Sequence, residues 1–159
     1  MKKKEKVLVT GAGGFIGHHL VKFLKDKGYW VRGVDIKKPE FEPTQANEFL
    51  ILDLREKSNA IKVTRSIAHV YNLAANMGGV GFIETVHADL MRDNVLIDTN
   101  MLEASKQNGV RRFFYSSSAC IYPIYKQGMR KNPGLKESDA YPADPDNSYG
   151  WEKLFIERL

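Results

Sequence analysis

The chain has 159 residues, with 24 Lys and Arg against 19 Asp and Glu, giving a formal net charge of +5. Hydrophobic residues make up 43% and charged residues 27%, which excludes a disordered, collagen-like or low-complexity chain and fits one globular domain, residues 1–159, with a core of its own. No apolar stretch approaches the roughly 20 residues of a membrane-spanning helix, and the basic groups at Lys2 to Lys4, Lys37-Lys38, Arg111-Arg112 and Arg130-Lys131 are too short for a nucleic-acid arm.

Residues 6–10, KVLVT, form a short β-branched run that stops at glycines, the pattern of a buried strand before a sharp turn. Ile16, Leu20, Phe23 and Leu24 then recur at helical spacing over 15–27, and Gly28 stops the helix. A second strand over 30–34 closes at Asp35, and a third over 49–52 closes at Asp53. A polar-rich helix is predicted over about 56–67, a fourth strand over 69–73, a long helix over 88–107 and a fifth strand over 112–116. This alternation predicts βαβ units and a doubly wound parallel sheet of Rossmann type, covered on both faces. Four of the six prolines fall between Ile121 and Asn147, so that segment is expected to be a long irregular loop. A helix begins at Ser148 and the sequence stops within it, at Leu159.

Gly11, Gly14 and Gly17 carry a G-x-x-G-x-x-G spacing directly after one strand and before a helix that opens with Phe15 and Ile16. Glycine is needed where backbone approaches a pyrophosphate, and the helix N-terminus supplies N–H groups and partial positive charge. Asp35, 18 residues beyond Gly17, stands where an acid bonds the adenosine ribose hydroxyls and repels a 2′-phosphate, which favours NAD over NADP. A turn or cap aspartate is the plainer reading, and Lys37 and Lys38 soften the discrimination. Asp53, with Leu54 after it, either accepts from an adenine amino group or caps the next helix. Leu73, Ala74 and Ala75 either let a cofactor lie against the sheet edge or make a tight packing corner.

Tyr149 and Lys153 stand one above the other at i and i+4 on the last helix. That spacing alone occurs on many helix surfaces. Behind a dinucleotide turn, and with Ser118 at the end of strand five, it reads as a phenolate base supported by an ammonium, with a hydroxyl to hold the same substrate oxygen.

The stretches GAGGFIG, VDIKK, Asp53-Leu54, NLAA, the asparagines Asn94 and Asn100, SSSACIYP and YGWEK together resemble the N-terminal half of an extended short-chain dehydrogenase/reductase of the nucleotide-sugar epimerase/dehydratase group. The resemblance runs from Val7 to Lys153. It implies NAD as cofactor, held by the glycine turn, Asp35, Asp53-Leu54, Leu73 to Ala75, Tyr149 and Lys153. It implies a nucleotide-sugar substrate, GDP-mannose first, touched by Gly78, Ser118, Cys120 and Tyr149. Cys120, two residues after Ser118, matches an acid/base on ring carbons, although a lone cysteine is otherwise a small buried hydrophobe. A fucose-synthase-like reductase of the same group, which typically uses NADPH, is the alternative, and a non-catalytic NAD-binding fragment is another. The resemblance also implies a longer chain, with a C-terminal substrate domain and a second acid/base beyond Leu159, and a homodimer formed through helices like 88–107 and that of Tyr149. The single cysteine and the short apolar run at the N-terminus suggest a cytoplasmic protein, and no metal, nucleic-acid or membrane partner is expected.

Overall fold

The computed structural model describes residues 4–40, 42–78, 81, 85–127 and 134–159. They fall into two compact units, one from Met1–Ala75 and Leu96–Ser116, the other from Asn76–Val95 and Ser117–Leu159.

The first unit holds a five-stranded sheet. Its strands are β1 (Lys6–Thr10), β2 (Trp30–Asp35), β3 (Glu48–Ile51), β4 (His69–Asn72) and β5 (Arg112–Tyr115). They lie in the order β3-β2-β1-β4-β5, and every neighbouring pair is parallel. The central strand β1 is apolar on both sides, as a strand covered on both faces must be. Val7 and Val9 point to one face, where α1 (Phe15–Asp26) adds Val21 and Leu24. Leu8 points to the other, with Val34 and Val70 from the flanking strands. There α2 (Lys57–Thr64) brings Ala60 and Val63, and α3 (His87–Gln107) brings Ile97, Met101 and Ala104. Burying each large aliphatic side chain contributes about 1.5–3 kcal/mol.

The predicted elements and alternation stand, with shifted ends. The second helix is shorter than expected. Arg65 leaves the helical conformation, with a ψ of 128°, and Ser66 follows at a φ of +60°, so the helix ends before Ile67, which joins the core from outside it. The second unit corrects the expected irregular loop. A 3₁₀ turn forms at Ala119–Ile121, a single helical turn α4 at Ile124–Gln127, and another 3₁₀ turn at Glu137–Ala140. Lys126 Nζ to Asp139 Oδ1 (2.7 Å) links the two later turns. The last helix, α5 (Ser148–Arg158), is capped by Asn147, whose Oδ1 accepts from the Gly150 N–H at 2.8 Å. Ile121, Ala140 and Leu154 make a small core beneath it. Among the described residues no helix is long and apolar enough to cross a membrane.

Candidate functional site

The glycine turn sits at the C-terminal end of β1 in the first unit. Gly11 has a φ of +66°, and a Cβ there would lie 2.9 Å from the Leu73 carbonyl, so a side chain is excluded both by conformation and by space. A Cβ on Gly17 would overlap the Gly11 carbonyl oxygen, so glycine alone lets the first turn of α1 press onto the loop. Gly14 begins α1 without a side-chain cap, and the first turn carries no acid. Its N–H groups are therefore not claimed by side chains, which is the condition for binding an anionic group there.

Asp35 sits beneath this turn. Its Oδ2 accepts from the Gly13 N–H at 2.8 Å and its Oδ1 from the Lys37 N–H at 3.1 Å. Each oxygen keeps a further lone-pair direction, enough for two ribose hydroxyls. Phe15 and Ile16 are 73% and 70% exposed at the helix start, leaving bare apolar surface beside the turn. A cavity of about 540 Å³ opens here, lined by Gly13, Gly14, Phe15, Lys37, Glu40 and Glu42 among others. The residues present thus fit a dinucleotide.

At the neighbouring strand ends each position has partners within the chain. The Asp53 carboxylate is gripped by the Arg55 guanidinium (Nη2 to Oδ2, 2.6 Å), which holds it below the usual carboxylate range. It is not the cap of α2, whose N-cap is Glu56. Leu54 is buried in the core, so only its backbone can face a ligand. Leu73 to Ala75 are half-buried, and the backbone at Leu73 and Ala74 is fixed by Thr10. Thr10 Oγ1 accepts from Leu73 N and Ala74 N, both at 2.9 Å, and donates to Asn72 Oδ1 at 2.9 Å. Asn72 in turn donates to Asp98 at 2.6 Å. This buried chain ties β1 to the end of β4, and the sequence reading missed it. A threonine and an asparagine inside apolar runs were its visible signal.

The second unit gathers Ser118, Cys120, Tyr149 and Lys153. Ser118 caps the 3₁₀ turn, its Oγ accepting from the Cys120 N–H at 3.2 Å. That use of the oxygen leaves the hydroxyl hydrogen to donate elsewhere. Cys120 is half-buried and its thiol is in no disulfide. Gly150 sets the approach of α5, because a Cβ there would overlap the Cys120 carbonyl oxygen. Tyr149 and Lys153 are both buried, with the Lys153 ammonium 5.5 Å from the centre of the Tyr149 ring. A cavity of about 620 Å³ is lined by Ser117, Ser118, Tyr122, Glu137 and Glu157 among others, but not by Tyr149, Lys153 or Cys120. Gly78 is exposed, in the segment after β4.

Glu152 was an unmarked position between Tyr149 and Lys153 in the sequence. It is fully buried. Its Oε1 accepts from Asn94 Nδ2 at 3.1 Å, and Asn94 Oδ1 accepts from the Asn76 N–H at 2.6 Å. Helices α5 and α3 and the backbone at Asn76, two residues before Gly78, are thereby joined. Asn100 acts likewise within the first unit, donating to the Leu54 and Arg55 carbonyls at 3.2 and 2.9 Å. Among the described residues no cluster of His, Cys, Asp and Glu has the makeup of a metal site.

Residues 7–159 match the model of the NAD dependent epimerase/dehydratase family. GDP-mannose 3,5-epimerase 1 of Oryza sativa subsp. indica is 52% identical over 99% of this chain and 42% of its own length. GDP-mannose 3,5-epimerase of Arabidopsis thaliana is 51% identical over 97% of this chain and 41% of its own. The chain therefore spans about two fifths of the length of these relatives. Among solved structures, the UDP-glucose 4-epimerase of Thermus thermophilus in complex with NAD superposes with a TM-score of 0.79 at 30% identity, covering 96% of this chain and 49% of that one.

Proposed function

The chain belongs to the NAD dependent epimerase/dehydratase family, and on that premise we propose that it is the dinucleotide-binding part of a nucleotide-sugar epimerase acting on GDP-mannose at C3 and C5. The observation that carries this reading is Gly150, which brings the Tyr149 helix onto the backbone of Cys120. A 4-epimerase of this kind needs the tyrosine and lysine but no thiol. The 52% identity to a GDP-mannose 3,5-epimerase supports the same choice.

Bound at the glycine turn, NAD supplies reversible hydride removal at the sugar C4, which leaves a 4-ketone and acidifies the C3 and C5 hydrogens. The chain's own residues do the rest. Gly11, Gly14 and Gly17 admit the pyrophosphate to the first turn of α1, and Asp35 accepts from the ribose hydroxyls. The Tyr149 phenolate takes the proton of the C4 hydroxyl and later returns it. The Lys153 ammonium beside the ring stabilises that phenolate. Ser118 donates to the C4 oxygen with the hydrogen that its contact to Cys120 leaves available. Cys120 exchanges a proton on one face of the ring. The partner acid/base for the opposite face is assigned to no residue of this chain.

The same reading makes the protein cytoplasmic, which its single cysteine supports, and homodimeric. The assay is the full-length protein with GDP-mannose and NAD. Epimerised GDP-hexose with no net accumulation of NADH is expected. A stable 4-keto sugar, or net consumption of cofactor, would instead mean a dehydratase or a reductase.

A further inference from the structure

Lys37 is the only lysine or arginine that lines the glycine-turn cavity among the described residues. Its ammonium donates to Glu40 Oε1 at 2.5 Å, three residues on in the same short segment after β2. Glu40 lines the cavity too. The Lys37 backbone N–H meanwhile donates to Asp35, so the lysine is anchored at the very acid expected to read the ribose. A 2′-phosphate placed at Asp35 would meet a carboxylate and would need a nearby cation to offset it. The cation two residues away is already committed to a carboxylate of its own. The hydrogen bond and charge of Glu40 raise the Lys37 pKa, and the carboxylate beside the ammonium offsets part of its field. The other acid of the rim, Glu42, is engaged separately, by Lys22 and His18.

We infer that Glu40 is a cofactor-specificity residue, which withholds the Lys37 ammonium from a 2′-phosphate and so keeps this cavity selective for NAD. The inference rests on the NAD reading above and goes beyond it by naming the residue that guards the choice. Asp35 alone disfavours the phosphate, and Glu40 prevents Lys37 from compensating.

The test is calorimetric titration of NAD and of NADP into the wild-type protein, E40Q, K37A and the double variant, at low ionic strength, where exposed charges act most strongly. Both side chains are more than half exposed, so the variants are expected to fold. Wild type binds NAD more tightly than NADP. E40Q moves the ratio of the two constants about fivefold toward NADP, the size of one exposed charge interaction. In the K37A background the same change shifts the ratio far less. An unchanged ratio in E40Q, or an equal shift with and without Lys37, overturns the inference while NAD binding stands. Absence of NAD binding to the wild type overturns the reading and the inference together.

Discussion

At Gly150 one absent methyl group decides whether α5 can lie on the backbone of Cys120. Gly150→Ala forces the helix away from the 3₁₀ turn that carries the cysteine, and overpacking of this sort costs about 1–3 kcal/mol. Urea unfolding is expected to show that loss, and turnover to fall further than the stability change explains. Undiminished turnover in the variant would contradict the functional weight given to the close approach of α5 to Cys120. Glu42 carries a different residue-scale consequence. Hydrogen bonds from Lys22 and His18 hold its carboxyl down from 4.5 to about 2. Its folded value lies below its unfolded one, so the stabilisation is complete above pH 4.5 and is lost as pH falls toward 2. Glu42→Gln is therefore expected to flatten the acid limb of stability across that interval, read as the denaturant midpoint against pH. The effect is small and salt-sensitive, because the carboxylate is exposed. Identical acid limbs would contradict it.

At the scale of elements, Thr10 is the joint between β1 and the segment after β4. Its hydroxyl serves two N–H donors and one carbonyl acceptor. Thr10→Val keeps the shape and removes all three bonds, leaving buried groups unmatched at a cost of about 2–3 kcal/mol. Thermal unfolding is expected to register it, together with weaker NAD binding as Leu73 and Ala74 lose their fixed backbone. Unaltered stability would show that water replaces the hydroxyl. The strands and α1, α3 and α5 were legible in the sequence because each has a core face with its own period, and the chain interrupts them with glycine or a change of polarity. The glycine turn was legible for the same reason, since its spacing sits between a strand and a helix. The turns within 121–147 were not. They depend on the Lys126–Asp139 contact and on packing of Ile121 and Ala140 under α5, which no local pattern encodes. The Arg55 grip on Asp53 was not legible, because a strand-ending acid looks alike whether it faces a ligand or a neighbouring arginine. Glu152 was overlooked because a charged residue in a Tyr/Lys spacing reads as solvated, whereas its partner Asn94 lies 58 residues away in sequence.

At the scale of the whole molecule, the glycine turn and Asp35 lie in one compact unit, and Ser118, Cys120, Tyr149 and Lys153 in the other. Helix α3 contributes to both, His87–Val95 to the second and Leu96–Gln107 to the first. The division separates what a substitution should disturb. A change at Cys120 ought to leave the glycine turn intact and cofactor affinity unaltered, while removing proton exchange on the sugar ring. The most direct measurement is deuterium uptake from heavy water at C3 and C5 of GDP-mannose, with the full-length enzyme and NAD, comparing wild type with Cys120→Ala. Uptake by the wild type and its loss in the variant, at unchanged NAD affinity, is the predicted result. Exchange at the wild-type rate without the thiol would contradict the assignment of Cys120 and, with it, the choice of a 3,5-epimerase.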